Sequence, residues 1–179
     1  SNATATLLAS MLFVGIALAC PLAGWLYPYI RSQLRPIFFC AALLMCATLS
    51  WVIYWPPTSL WMYGAVMIFL GGFSCVYVMS YTYVKEIVDE SISTTAIGFT
   101  NALCVATVPV LQPLIGYLLQ FSHNRNSVGA DDVYNLVDYQ FALAVLPISL
   151  LIAAALSWFI FRVPGEVTEK VLGSPQTNE

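Results

Sequence analysis

The sequence predicts an all-α membrane protein, a bundle of five transmembrane helices, on three observations. Hydrophobic residues make up 60% of the 179 and charged residues only 8%, against roughly 45–50% and 25% in an ordinary soluble domain. A water-soluble globule on that allowance lacks the polar side chains to cover itself. Second, residues 4–30, 36–57, 60–84, 96–121 and 139–161 carry no charge. Each stretch reaches the roughly 20 residues a helix needs to cross about 30 Å of hydrocarbon. Third, the short alternating segments of a membrane β-barrel are absent, so helices are what remain to satisfy the backbone in lipid.

The elements follow in order. The opening Ser1-Asn2-Ala3 looks like the scar of a removed tag, so residue 4 need not lie near a natural N-terminus. The first run has no basic segment before it and is too long for a signal peptide. "YIRSQLRP" closes it, and Arg35-Pro36 suits a turn into the second helix. "WPPTS" breaks the second run from the third, with Trp51, Trp55 and Trp61 placed for the headgroup level. "KEIVDES" then gathers four charges in a loop, where they stay hydrated, and Ser93, Thr94 or Thr95 supplies the N-cap of the fourth helix. "SHNRNSVGADDVYNLVD" reads as a polar loop before the fifth span, and 164–179 as a cytoplasmic tail too polar to pack.

The net charge is −3 and the bases are scattered, so nucleic acid is not an expected partner. With five spans, Arg31, Arg35, Lys85, Arg162 and Lys170 fall on one side and Arg125 alone on the other. By the positive-inside rule the first side is cytoplasmic, which puts the N-terminus outside, the C-terminus inside and Asp131, Asp132 and Asp138 external. The five cysteines lie in apolar runs without paired spacing, so neither a disulfide framework nor a metal site is expected. His123 sits in the polar loop, with no metal or catalytic duty assigned, and no cofactor is expected.

Inside the spans the informative residues are small or polar. Gly15, Ala19 and Ala23 form a small-xxx-small stripe on the first. The third holds Gly71-Gly72 and then Ser74, Tyr77 and Tyr81 on roughly one face. On the fourth, Gly98, Asn101, Val105, Val108, Gln112 and Gly116 trace a single face. Asn101 and Gln112 need partners in hydrocarbon: a neighbouring helix on one reading, a solute pathway on the other. Pro21, Pro109, Pro113 and Pro147 each free a carbonyl and can kink a span. No span has an acid, base or histidine near its centre, which argues against an intramembrane protease, a haem protein or a carboxylate proton relay built from these helices alone.

"GIALACPLAGWLYPYIRSQLRP" resembles the signature helix and basic loop of the major facilitator superfamily, carried here by Gly15, Pro21, Gly24, Arg31 and Arg35. The acidic residue that the family often places four positions after the second glycine is Pro28 here. "YVKEIVDESISTTAIGFTNAL" with "VLQPLIGYLL" is similar to the cytoplasmic loop and eleventh helix of many bacterial members, through Thr95, Ala96, Gly98, Asn101, Gln112, Pro113 and Gly116. The resemblance implies helices eight to twelve of a transporter whose N-terminal half and seventh helix lie elsewhere, in a bacterial inner membrane. It implies that the first, third and fourth spans line the cavity and that the second and fifth face lipid.

The leading expectation is a secondary transporter that moves a small organic solute by alternating access. Ser74, Tyr77, Tyr81, Asn101 and Gln112 would bind the solute; Gly24, Arg31, Arg35, Glu86, Asp89 and Glu90 would make gating contacts at the cytoplasmic loops. The alternative is an assembly subunit whose stripes dock other membrane chains. A membrane enzyme would need a nucleophile, base or metal cluster that the sequence does not offer. The transporter's partners would be the solute, its missing N-terminal half and seventh helix, and membrane lipid.

Overall fold

The computed structural model describes residues 2–126 and 134–160, all of them helical or in short connections. The helices are α1 (Asn2–Ile30), α2 (Leu34–Tyr54), α3 (Leu60–Phe73), α4 (Val76–Ile87), α5 (Glu90–Ala106), α6 (Val108–Asn126), α7 (Leu136–Leu143) and α8 (Val145–Ile160). No strand occurs among the described residues. The tail 164–179, the bases Arg162 and Lys170 and the acids Asp131 and Asp132 lie outside them.

Four continuous helical stretches are long and apolar enough to cross a membrane: Ala3–Tyr54, Leu60–Ile87, Glu90–Arg125 and Leu136–Phe159. The fifth expected span does not appear as a separate stretch, because Arg31–Gln33 is a 3₁₀ turn that keeps α1 and α2 hydrogen-bonded in one 52-residue run. The chain nevertheless folds back there. Gly15, Ala19 and Leu22 on α1 line one cavity with Ile37, Ala41 and Leu44 on α2 and Ile68 on α3, which a straight run would set far apart.

The other boundaries between elements have local causes. Between α3 and α4, Ser74 Oγ donates to Leu70 O at 2.9 Å beside the weak helix formers Gly71 and Gly72. Between α5 and α6, Thr107 N turns to Cys104 O at 3.3 Å two residues before Pro109, whose ring rejects the carbonyl of Val105. Between α7 and α8, Ala144 N is shared by Gln140 O and Phe141 O, and Pro147 follows. These interruptions bend helices without ending the apolar stretch, so periodicity read across them as one span.

Two sequence boundaries are corrected. The fourth apolar helix begins at Glu90, with Asp89 at the N-cap position, six residues ahead of the expected start and not at Ser93, Thr94 or Thr95. Asp89 and Glu90 place acidic charge at the positive end of the helix dipole, which favours the earlier start. At the other end α6 continues through Asn126, so Ser122 and His123 stand on a helix and not in a loop.

α1 packs along α3, and glycine makes the approach possible. A methyl group on Gly15 would overlap the Ile68 carbonyl, and one on Gly71 would overlap the Leu12 carbonyl. Backbone therefore meets backbone, which is how helices associate where burial in lipid offers little gain. α2 packs along α8, where Cys46 Sγ donates to Pro147 O at 3.4 Å and Phe39 meets Trp158 at a centroid distance of 5.2 Å. α6 rests mainly on α7, and α5 on α4.

A polar cluster on α4 and α5 and the contacts at the bundle ends

Tyr77 and Tyr81 stand one turn apart on α4, ring edge to face at 4.9 Å, with their hydroxyls hydrogen-bonded to each other. Tyr81 Oη donates to Asn101 Oδ1 on α5 at 2.9 Å, and Tyr77 Oη lies 3.5 Å from the same oxygen. With one proton per hydroxyl, Tyr81's bond to Asn101 leaves the Tyr77 proton for the Tyr81 oxygen. The Asn101 amide nitrogen has no protein partner among the described residues, and Tyr77 is 46% exposed.

Tyr77 lies ten residues before Ile87 and Asn101 eleven residues after Glu90; at about 1.5 Å per residue both sit about 15 Å along their helices from those ends.

Of the five solute-site candidates, these three come together. Ser74 sits at the α3–α4 break and spends its proton on its own helix. Gln112 is exposed on α6, beyond the Thr107 break, with no hydrogen bond to the rest of the described chain. Gly98 and Gly116, expected on the same face, have open space where a Cβ would go.

The loop-side candidates gather where α1 turns into α2, where α4 ends and α5 begins, and where α8 ends. Tyr27 Oη donates to Glu86 Oε2 at 3.0 Å, linking α1 to α4. The Arg35 guanidinium lies 3.9 Å over the Trp158 ring, a cation–π contact from α2 to α8, and its buried Nε finds no acceptor. Arg31, Asp89 and Glu90 are exposed, Gly24 faces open space, and no ion pair joins any of these charges among the described residues. Tyr27 was not singled out in the sequence; its partner is 59 residues away and leaves no local signal.

The opposite end holds a group that the sequence reading placed in an external loop. Asp138 is fully buried on α7. Its Oδ1 accepts from Ser122 Oγ on α6 at 2.6 Å, its Oδ2 from Asn135 N at 3.1 Å, and His123 Nδ1 lies 3.6 Å from Oδ2. Asn135 and Asp138 form a capping box at the start of α7. The Asn-x-x-Asp spacing ahead of an apolar run was the available signal. No group of three or more metal-ligating side chains occurs among the described residues.

Long apolar helices and glycine-mediated helix packing mark an integral, multi-pass membrane protein. The family model of the Major Facilitator Superfamily matches residues 1–178. The chain belongs to that family, whose members carry small solutes across membranes and are generally not enzymes. No curated protein and no solved structure matches it.

Proposed function

We propose that the chain contributes five membrane crossings to a secondary transporter that moves a small organic solute by alternating access. Tyr77, Tyr81 and Asn101 are the part of the solute site that it supplies. The observation that carries the reading is an exposed hydrogen-bonding trio within long apolar helical stretches. Turned to lipid, an amide without partners costs roughly 2–7 kcal/mol. A water-filled path or further protein on that side removes the cost.

The five-crossing count is supported by the reversal at Arg31–Gln33, which sets Gly15 and Ala19 of α1 and Ala41 and Leu44 of α2 around one cavity. It is also supported by the Gln140 Nε2 hydrogen bond to Ile53 O at 3.0 Å, which sets the start of α7 beside the end of α2. On this count the 31–35 and 86–90 segments share the cytoplasmic side of a bacterial inner membrane. Tyr27–Glu86 and Arg35–Trp158 then tie helix ends on that side, and Arg31, Asp89 and Glu90 stand free to pair with the other half of the transporter as it rocks. Gln112 and Ser74 enter the site when helices bend at Pro113 and at the α3–α4 break. The seventh helix and the N-terminal half supply the remaining wall.

Asn101→Ala in the whole transporter should lower solute uptake by about tenfold or more, in line with loss of a hydrogen bond to the solute, with membrane abundance unchanged. Equal loss of uptake and abundance would place the trio in helix packing and favour the assembly-subunit alternative. Orientation has its own test: a cysteine at Val88 should react with an impermeant reagent from the cytoplasmic face and one at His123 from the opposite face. The reverse pattern would invert the topology.

A further inference from the structure

We propose that the cavity between α1, α2 and α3 holds one acyl chain of an anionic phospholipid, whose phosphate is met by Arg31. The inference goes beyond the solute reading and does not depend on it.

The cavity has a volume of about 600 Å³ and is lined by Leu18 and Leu22 of α1, Ile37 and Leu44 of α2, and Ile68 and Phe69 of α3. Among the described residues its wall carries no polar side chain beyond the thiols of two cysteines. All six of these residues but Ile37 are also exposed, so the cavity opens sideways from the bundle, toward the hydrocarbon that surrounds a membrane span. Water gains nothing there, since it needs two to four polar partners. Left empty, the space would forfeit the dispersion contacts of its wall. A cavity of about 150 Å³ already takes a benzene, so this one has room for a longer chain, and the acyl chains beside the spans are at hand to fill it.

The headgroup is set by what stands where α1 ends. Trp25 and Tyr29 continue the face of Leu18 and Leu22 at helical spacing, both exposed, with ring centroids 5.9 Å apart. Such rings favour the headgroup level. Arg31 follows, exposed and in no ion pair among the described residues. From Leu22 to Arg31 is nine residues, about 13 Å of helix against about 15 Å of hydrocarbon in one leaflet; Ile37 lies one turn into α2. A chain whose phosphate rests at Arg31 therefore reaches the cavity within its own leaflet. Lipid tails are as apolar as this wall, so apolar contact does not choose among lipids. Charge chooses, by about fivefold for one arginine near an anionic headgroup.

The test is photolabelling of the chain on its own, where the other half of the transporter does not compete for Arg31. It is reconstituted in phosphatidylcholine vesicles with a trace of phosphatidylglycerol that carries a diazirine on its acyl chain. The cavity-lining peptides should take up about fivefold more label than the exposed face of Leu151, Ile152 and Leu156 on α8. The same diazirine on phosphatidylcholine should show no such excess. Gly72→Leu should abolish the excess, because a Cβ there meets no atom within 4 Å and the side chain extends into the cavity that Gly72 lines. Should that variant fail to accumulate, Leu22→Trp fills the same cavity from its exposed edge. Arg31→Gln should bring the phosphatidylglycerol label down to the phosphatidylcholine level. Equal labelling of every lipid-facing helix, or an excess that survives the filling variants, overturns the site; an equal excess from both lipids overturns the role of Arg31. In the whole transporter the cavity peptides should still be labelled, and loss of label there would mean that protein, not lipid, covers the cavity.

Discussion

Two glycine-bearing faces that look alike in the sequence have opposite surroundings. On α1 and α3, Gly15 and Gly71 meet the backbone of the facing helix, with no room for a methyl group. On α5 and α6, Gly98 and Gly116 meet nothing within 4 Å, and residues 101–110 are exposed throughout. A small residue in a membrane helix therefore marks either a contact already made or a surface left for something else. Only the neighbour tells which. The α1–α3 pair is the finished part of the bundle, and the α5–α6 arm is left open, the face that the proposed function assigns to solute and to the rest of the transporter.

A graded series of substitutions sharpens that contrast. Gly15→Val and Gly71→Val should be the most damaging, each costing about 3 kcal/mol or more, because the obstacle is backbone that cannot step aside. Gly64→Ala comes next, at about 1 kcal/mol, since the new methyl meets only the flexible Met11 thioether. Gly98→Ala and Gly116→Ala should leave the isolated chain as stable as before, or more stable by up to about 1 kcal/mol through helix propensity. Thermal unfolding in detergent ranks the series. A Gly98→Ala loss as large as that of Gly15→Val would erase the distinction between the two faces. In the whole transporter, Gly98→Ala should instead reduce uptake, where the face has a partner.

The sequence carried the helical class, the apolar runs and the family resemblance, because apolar length and the absence of charge are local properties. It also brought Tyr77, Tyr81 and Asn101 into view, since helical spacing places Tyr77 and Tyr81 on one face. Spacing failed across Thr107: Asn101 and Gln112 were read on one continuous face, but Pro109 breaks the helix between them and only Asn101 reaches the tyrosines. The Tyr27–Glu86 and Arg35–Trp158 contacts were out of reach, because each joins positions far apart in the chain. Asp138 was misread for a different reason. Charge near a polar segment suggests hydration, whereas a capping box and a serine on the next helix bury this carboxylate completely.

Charge at the two ends of the bundle differs in the same way. Where α1 turns into α2, Arg31, Asp89 and Glu90 are exposed and unpaired within the described chain; at the α6–α7 joint a single buried acid organises its surroundings. The first arrangement suits contacts that form and break, and the second suits a fixed joint.

Solvent access at Asn101 tests the account most directly. In a cysteine-free transporter, Asn101→Cys should react with a charged, water-soluble maleimide, while Leu156→Cys, exposed on α8, should react only with a reagent dissolved in the membrane. If the cysteine at 101 also ignores the charged reagent and reacts only from the lipid phase, the tyrosine–asparagine face does not border a solute path.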